Sequence, residues 1–120
     1  MATAVNNTKY ASPGVITWTL TDLDGVGSPV NRSLAADKTV QIGGTFNSGT
    51  VTLQGSNDDP KQVNPMQWDT LHDPLGVAIT ATAVKIVAIM ENPLFIRPVM
   101  TGTVGAASVK VTMVSKGFNS

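Results

Sequence analysis

Residues 51–76 constrain the fold more than any other stretch of this chain, because an alternating segment and two turns follow one another there. They read VTLQGSNDDPKQVNPMQWDTLHDPLG. Residues 51–55 alternate between apolar or small side chains and polar ones, the period of two that is typical of a half-buried strand. A polar loop follows, then a Trp-x-x-Leu segment that begins at Trp68 and a second turn that ends at Gly76. This arrangement predicts part of an antiparallel β-sandwich.

Composition favours the same all-β class. Valine and threonine contribute 15 residues each to the 120-residue chain, whereas Glu91 is its only glutamate. β-Branched residues fit a pleated surface and lose side-chain freedom in helices. Further alternating segments lie at residues 15–21, 94–100 and 108–115. Together they predict about seven or eight short strands in one antiparallel β-sandwich.

The length of the chain fits a single domain. Residues 1–13 are polar and run into a Pro-Gly pair, so we expect an N-terminal arm there and a sandwich over residues 14–120. The chain starts without a basic segment followed by an apolar run, and it contains no cysteine. Its longest apolar stretch, residues 84–90, is too short to span a bilayer. We therefore expect synthesis in a cytoplasm and no membrane partner.

Glycine and proline make further local predictions. Residues 47–49 (NSG) predict a three-residue hairpin loop with Gly49 in the left-handed conformation. Gly43 and Gly44 predict a bulge or a close backbone contact. Pro98 predicts an edge strand or a bulge, because proline cannot donate a ladder hydrogen bond. Residues 77–90 are interpreted either as two strands or as one bent strand.

Charge and motif content argue against catalysis and nucleic-acid binding. Eight basic and eight acidic residues are spread along the chain, without the basic face that phosphate contacts require. His72 is the only histidine and lies in a turn between Asp69 and Asp73, so we interpret it as exposed or as a turn cap. No nucleophile motif accompanies it, and no spacing selects a pair of carboxylates. We expect a protein that is not an enzyme.

Metal binding has little support in the sequence. A lone histidine without cysteine excludes the usual structural zinc sites. Residues 22–25 (DLDG) resemble the start of a calcium loop, but Ser33 stands where that loop needs its glutamate. Asp58 and Asp59 offer oxygen ligands, although such residues more often bond to their own backbone in turns. We expect no metal and no other cofactor.

Two tryptophans lie in alternating segments. Trp18 and Trp68 are interpreted most simply as core side chains. The alternative is that an exposed Trp68 or Tyr10 forms a platform on which a sugar ring stacks. That alternative predicts a carbohydrate-binding module.

The pattern TVTLQGSND, then W-x-x-L-x-D-x-x-G, Phe-Ile-Arg-Pro, Thr-Gly and Ser-Val-Lys-Val resembles small structural proteins of tailed bacteriophages, of the capsid decoration or cement type. The similarity covers about residues 40–116. The matched positions are turn formers, a tryptophan and a strand bend: Gly55, Ser56, Asn57, Asp58, Trp68, Leu71, Asp73, Gly76, Arg97 and Pro98. Residues 59–65 depart from the pattern, since a shorter Asp-Gly turn is expected there.

The resemblance implies a jelly-roll-like sandwich that binds the assembled major capsid protein lattice on the virion surface, as a homo-oligomer (dimer or trimer). Candidate contacts with the capsid lie in the inserted loop, on the arm and on the Phe-Ile-Arg-Pro segment: Lys61, Gln62, Asn64, Tyr10 and Arg97. Structural roles are expected for Trp18, Trp68, Gly49, Gly55, Gly76 and Pro98. The pattern also resembles part of discoidin-like carbohydrate-binding sandwiches, so a glycan-binding or other tail or head-completion module stays the alternative.

Overall fold

The computed structural model describes residues 1–6 and 14–116, and these residues are all-β. The strands are β1 (Val5–Asn6), β2 (Gly14–Thr21), β3 (Asp37–Thr45), β4 (Thr50–Ser56), β5 (Asp69–Thr70), β6 (Thr80–Ala81), β7 (Lys85–Ala88), β8 (Phe95–Thr101) and β9 (Ser108–Lys116). Over these two ranges no helix is long and apolar enough to cross a bilayer.

The strands form two antiparallel sheets that pack as a sandwich. The first sheet has the order β1-β2-β9-β3-β7, and the second places β4 between β8 on one side and β5 and β6 on the other. An irregular segment, residues 25–30, lies along the outer side of β8 through bridges at Val26 and Val30. Counting this segment as a strand gives the strand order of a jelly roll, as the resemblance implied.

Alternation in the sequence directs one face of each long strand into the core. On β2, Ile16, Trp18 and Leu20 are buried while the residues between them are more accessible. β9 repeats the pattern with Val109, Val111 and Met113. Trp18 is 0% exposed and donates its indole N–H to the carbonyl of Ser28, 2.9 Å away. The predicted core position of Trp18 is therefore confirmed.

The predicted hairpin at residues 47–49 is wrong, because the chain changes sheets there. β3 pairs with β7 and β9, whereas β4 pairs with strands of the other sheet. The turn itself exists, with Gly49 donating its N–H to the carbonyl of Phe46 at 2.8 Å. Asn47 and Ser48, not Gly49, have positive φ. A side chain at Gly49 would meet the Phe46 carbonyl at 2.8 Å, so glycine is needed for space.

Gly43 and Gly44 provide the predicted close contact without a bulge. The register of β3 against β9 continues through both residues. A Cβ on Gly44 would lie 2.4 Å from the carbonyl oxygen of Ser108, which only glycine avoids. Gly55 on β4 has a similarly close neighbour, because a Cβ there would lie 2.6 Å from Cγ of Pro93.

Residues 77–90 form two strands, one in each sheet. β6 pairs with β4, and β7 pairs with β3. Pro98 lies on β8 and turns its carbonyl toward the irregular segment, where Gly27 donates to it at 2.8 Å. β8 lies between β4 and this segment, so the prediction of an edge strand is wrong, although the pairing on this side of β8 is irregular.

Residues 1–6 pack onto the sandwich, so the prediction of a separate arm is wrong for them. Ala2 is buried in the core, and β1 pairs with β2. The amino group of Met1 lies 2.6 Å from Oδ1 of Asp24. The rest of the predicted arm, residues 7–13, lies outside the described residues.

Candidate interaction surfaces

Arg97 and Trp68 form a stacked pair at the surface. The guanidinium carbon of Arg97 lies 4.1 Å from the centroid of the Trp68 ring, a cation–π distance. Nε of Arg97 also donates to Oε1 of Gln54 on the neighbouring strand, 3.0 Å away. Burial lowers the pKa of Arg97, although the group stays protonated near neutral pH. The side chain is therefore held in one place before any partner arrives.

No carboxylate of the described residues neutralises this guanidinium. The ion pairs among the described residues are those of the Met1 amine with Asp24 and of His72 with Glu91. Its terminal N–H groups have no hydrogen-bond partner among the described residues, and such a guanidinium is a suitable donor for a carboxylate or an amide carbonyl of a partner. Arg97 is thus a candidate polar anchor on this surface.

A cavity of about 380 Å³ opens beside the pair. It is lined by Met1, Pro29, Pro60, Val63, Asn64, Pro65, Met66, Trp68 and Arg97. Residues 59–65, the loop that departs from the phage-protein pattern, form one wall of this cavity. A mostly apolar lining that includes a few polar groups, here Asn64 and Arg97, is typical of a binding pocket.

Short-range hydrogen bonds fix the loop. Asp58 accepts from the N–H of Gln67 at 2.7 Å, and Asp59 accepts from the N–H of Lys61 at 2.9 Å. Gln62 donates its N–H to the carbonyl of Asp59 at 2.9 Å. Asp59 therefore bonds within its own turn, as interpreted, whereas Asp58 bonds across the loop to a residue nine positions on. The side chains of Lys61 and Gln62 stay exposed.

Four of the five predicted contacts therefore lie in one region. Lys61, Gln62 and Asn64 belong to the loop beside Arg97, and Asn64 shares the cavity with it. The prediction of a core position for Trp68 is wrong, because its ring is partly exposed under Arg97. Tyr10 lies outside the described residues.

His72 forms a pair with Glu91 rather than standing free. Nδ1 of His72 lies 2.6 Å from Oε2 of Glu91, and the backbone N–H of His72 donates to Oε1 at 2.7 Å. Burial raises the pKa of Glu91, but the hydrogen bonds from His72 outweigh it and leave the pKa below its ordinary value. Turn capping is done by the neighbouring Asp73, which accepts from Leu75 and Val77.

Asp22 and Asp24 join distant parts of the backbone. Asp22 accepts from the N–H of Ala107 at 3.3 Å, and Asp24 receives the Met1 amine. Within residues 1–6 and 14–116, no three His, Cys, Asp or Glu side chains come together as a possible metal site. The DLDG segment thus connects parts of the fold.

Lys38 is a buried lysine that sequence reasoning missed. It lies on β3 with 3% exposure, and its Nζ donates to the carbonyl of Ala35 at 2.7 Å and to Oδ1 of Asn92. Asn92 in turn donates to the carbonyl of Ser33 at 2.8 Å. Desolvation lowers the pKa of Lys38, partly offset by Asp37. This network joins two loops to the sheet, and every buried polar side-chain atom in it has a hydrogen-bond partner.

A row of apolar side chains runs along the outer face of β7. Val84, Ile86 and Met90 are 73%, 68% and 64% exposed, and Ala88 between them is also exposed. The alternate residues point inward, with Ile89 buried and Val87 packed against the core. We call Val84, Ile86, Ala88 and Met90 the β7 stripe. One end of it borders a groove of about 650 Å³.

The sheet face beside the β7 stripe is short of charge. Its outward residues on β3 and β9 opposite Ile86 and Ala88 are Gln41, Thr39, Thr112 and Val114. The exposed charged side chains on these two strands lie toward the ends, at Asp37, Lys110 and Lys116, and the side chain of Lys38 is buried. Isolated exposed apolar residues are ordinary, but a continuous row beside an uncharged face is typical of a contact surface.

An apolar run in the sequence could have indicated the β7 stripe. Residues 84–90 (VKIVAIM) are apolar at every position but one, which is typical of a strand covered on both faces. Only the strand order shows that one face stays uncovered.

Compared with protein-family models and curated proteins, the chain finds no match.

Proposed function

We propose that this protein is a non-enzymatic capsid decoration, or cement, protein of a tailed bacteriophage, which binds the assembled major capsid lattice and stabilises it on the virion surface. The proposal rests on the sequence resemblance. The observation that supports it best is the preorganised Arg97–Trp68 pair beside the exposed loop 59–65. This region contains four of the residues that the sequence nominated as capsid contacts.

The chemistry of this region suits a repeated protein contact. Arginine and tryptophan are the residues most often found at energetic centres of interfaces. Stacking on Trp68 and bonding to Gln54 remove rotamer freedom from Arg97 before binding, which lowers the entropic cost of the contact. Lys61 and Gln62 are exposed on the loop whose neighbouring residues line the same cavity as Arg97. A lattice presents the matching site many times, so modest affinity per subunit suffices.

Capsids lacking the protein provide the test. Purified protein should cosediment with them saturably and raise the temperature at which they release DNA. Arg97→Ala should weaken binding by roughly tenfold, the effect of one interface hot spot. Lys110→Ala, an exposed charge on the other sheet, is the matched control and should bind as the wild type does. Failure of the wild-type protein to bind would contradict the proposal.

A carbohydrate-binding role is the second candidate, because Trp68 is partly exposed beside Asn64. A sugar ring stacks on an open aromatic face, and Arg97 already covers one face of Trp68. This candidate predicts hits on a glycan array and quenching of Trp68 fluorescence by the sugar. An array without hits, together with unchanged fluorescence, would eliminate it.

A further inference from the structure

We propose that two copies of this chain associate through β7, antiparallel about a two-fold axis, so that their five-stranded sheets join edge to edge. The inference goes beyond capsid binding, since it concerns the free protein in solution. It rests on the backbone pairing of β7 and on the side chains of the β7 stripe.

The backbone of β7 is paired on one side only. Ile89 donates its N–H to the carbonyl of Lys38 on β3 at 3.0 Å. Backbone groups alternate in direction along an antiparallel strand, so residues 85 and 87 also face β3 while Ile86 and Ala88 face away. On that outer side, no described residue forms a backbone hydrogen bond with Ile86 or Ala88.

The open edge has a defined length. At its far end, Met90 donates its N–H to the carbonyl of His72 at 2.8 Å, which closes the edge beyond Ile89. At its near end the chain arrives from the other sheet after Ala81. The unpaired backbone groups therefore belong to Ile86 and Ala88. A partner strand of the same length can form hydrogen bonds with them.

This edge has only part of the protection by which proteins keep strand edges from pairing, since β7 is four residues long and carries one inward-pointing lysine. Residues 84–88 contain no proline, and the register of β7 against β3 runs without a bulge. Lys85, the single charge, turns away from the outer face and donates to the carbonyl of Thr80 at 3.1 Å. A partner strand therefore meets no charge on the stripe.

A second copy of β7 fits this edge by symmetry. Antiparallel pairing about a two-fold axis at Ile86 sets each Ile86 opposite its counterpart, and sets Val84 opposite Ala88 of the second copy. These pairs are all apolar, and apolar cross-strand pairs stabilise a sheet. Lys85 comes opposite Val87 of the second copy, so the two lysines do not oppose each other. Such a self-complementary contact closes at two subunits.

Sedimentation equilibrium of the purified full chain tests the proposal. The wild-type protein should behave as a dimer of the 12.5 kDa chain. Ile86→Lys should raise the dimer dissociation constant by roughly tenfold or more, because it opposes two lysines at the axis. Ala88→Lys should act in the same direction and serves as the second variant. Both side chains are exposed, so the thermal unfolding of each variant checks that the fold is kept.

Val104→Lys is the matched control, since Val104 is 70% exposed and lies outside β7. It should leave the dissociation constant unchanged. A monomeric wild-type protein, a trimer, or a dimer that resists both β7 substitutions would overturn the proposal. None of these outcomes depends on capsids, so failure here is distinct from failure of capsid binding.

Discussion

The Arg97 region and the β7 edge are both exposed, yet they differ in what their surroundings already satisfy. Arg97 has a hydrogen-bond partner in Gln54 and a stacking partner in Trp68. The backbone N–H and C=O groups of Ile86 and Ala88 have no hydrogen-bond partner among the described residues, and the side chains are exposed. The first region is prepared to receive one side chain of a partner, whereas the second is completed only by another strand.

The sharpest contrast lies between two isoleucines on paired strands. Ile42 on β3 is fully buried, whereas Ile86 on β7 is 68% exposed. Ile42→Ala should lower the free energy of unfolding by about 2–5 kcal/mol, because it leaves a cavity in the core. Ile86→Ala should change the stability of the monomer by less than about 0.5 kcal/mol. Chemical denaturation at low protein concentration measures both. Equal losses would mean that the β7 stripe belongs to the core.

Arg97→Ala should have an intermediate effect on stability. It removes the stacking on Trp68 and the bond to Gln54, which together are worth about 1 kcal/mol at a partly exposed site. The free energy of unfolding reports this loss, and the emission of Trp68 should shift because its ring gains contact with water. Trp18 is buried and supplies an unchanged background. An unaltered spectrum would contradict the stacked geometry.

Glu91→Gln tests the closure at the end of the β7 edge. Hydrogen bonds from His72 lower the pKa of Glu91, so the carboxylate stabilises the fold above its unfolded pKa, and that stability is lost as pH falls through the lower folded pKa. The variant should therefore melt below the wild type near neutral pH, with the difference shrinking in acid. Faster hydrogen exchange at Met90 would locate the effect. A difference that grows in acid would contradict the pairing.

Lys61→Ala should have the smallest effect on the isolated protein. Its side chain is exposed, and its backbone N–H keeps the bond to Asp59 whatever the side chain. The free energy of unfolding should change by less than about 0.5 kcal/mol. Capsid binding should nevertheless weaken in a cosedimentation assay. A large loss of stability would show that Lys61 supports the loop instead of facing a partner.

The sequence predicted the parts of the fold that depend on local alternation. The buried faces of β2, β8 and β9 follow from a period of two. It predicted the turn at residues 47–49 but not its role, because turn residues do not show whether the chain returns to the same sheet. Strand order is a long-range property, and it alone decides that β3 and β4 belong to different sheets.

The candidate site, like the fold, was predictable from the sequence only in part. Arg97 and the loop residues were nominated from residue type and from an unexpected insertion, and the fold brings them together. The stacking of Arg97 on Trp68 was not predictable, because an aromatic residue in an alternating segment is usually a core residue. The β7 stripe was missed because an apolar run has the same sequence whether both of its faces are covered or one.

The most direct test is electron microscopy of capsids carrying the bound protein, at a resolution that places each strand. The account predicts subunits on the outer surface, with loop 59–65 and Arg97 against the major capsid protein and the β7 edges of neighbouring copies paired with each other. Subunits absent from the shell, or seated with β7 against the capsid and Arg97 facing solvent, would contradict it.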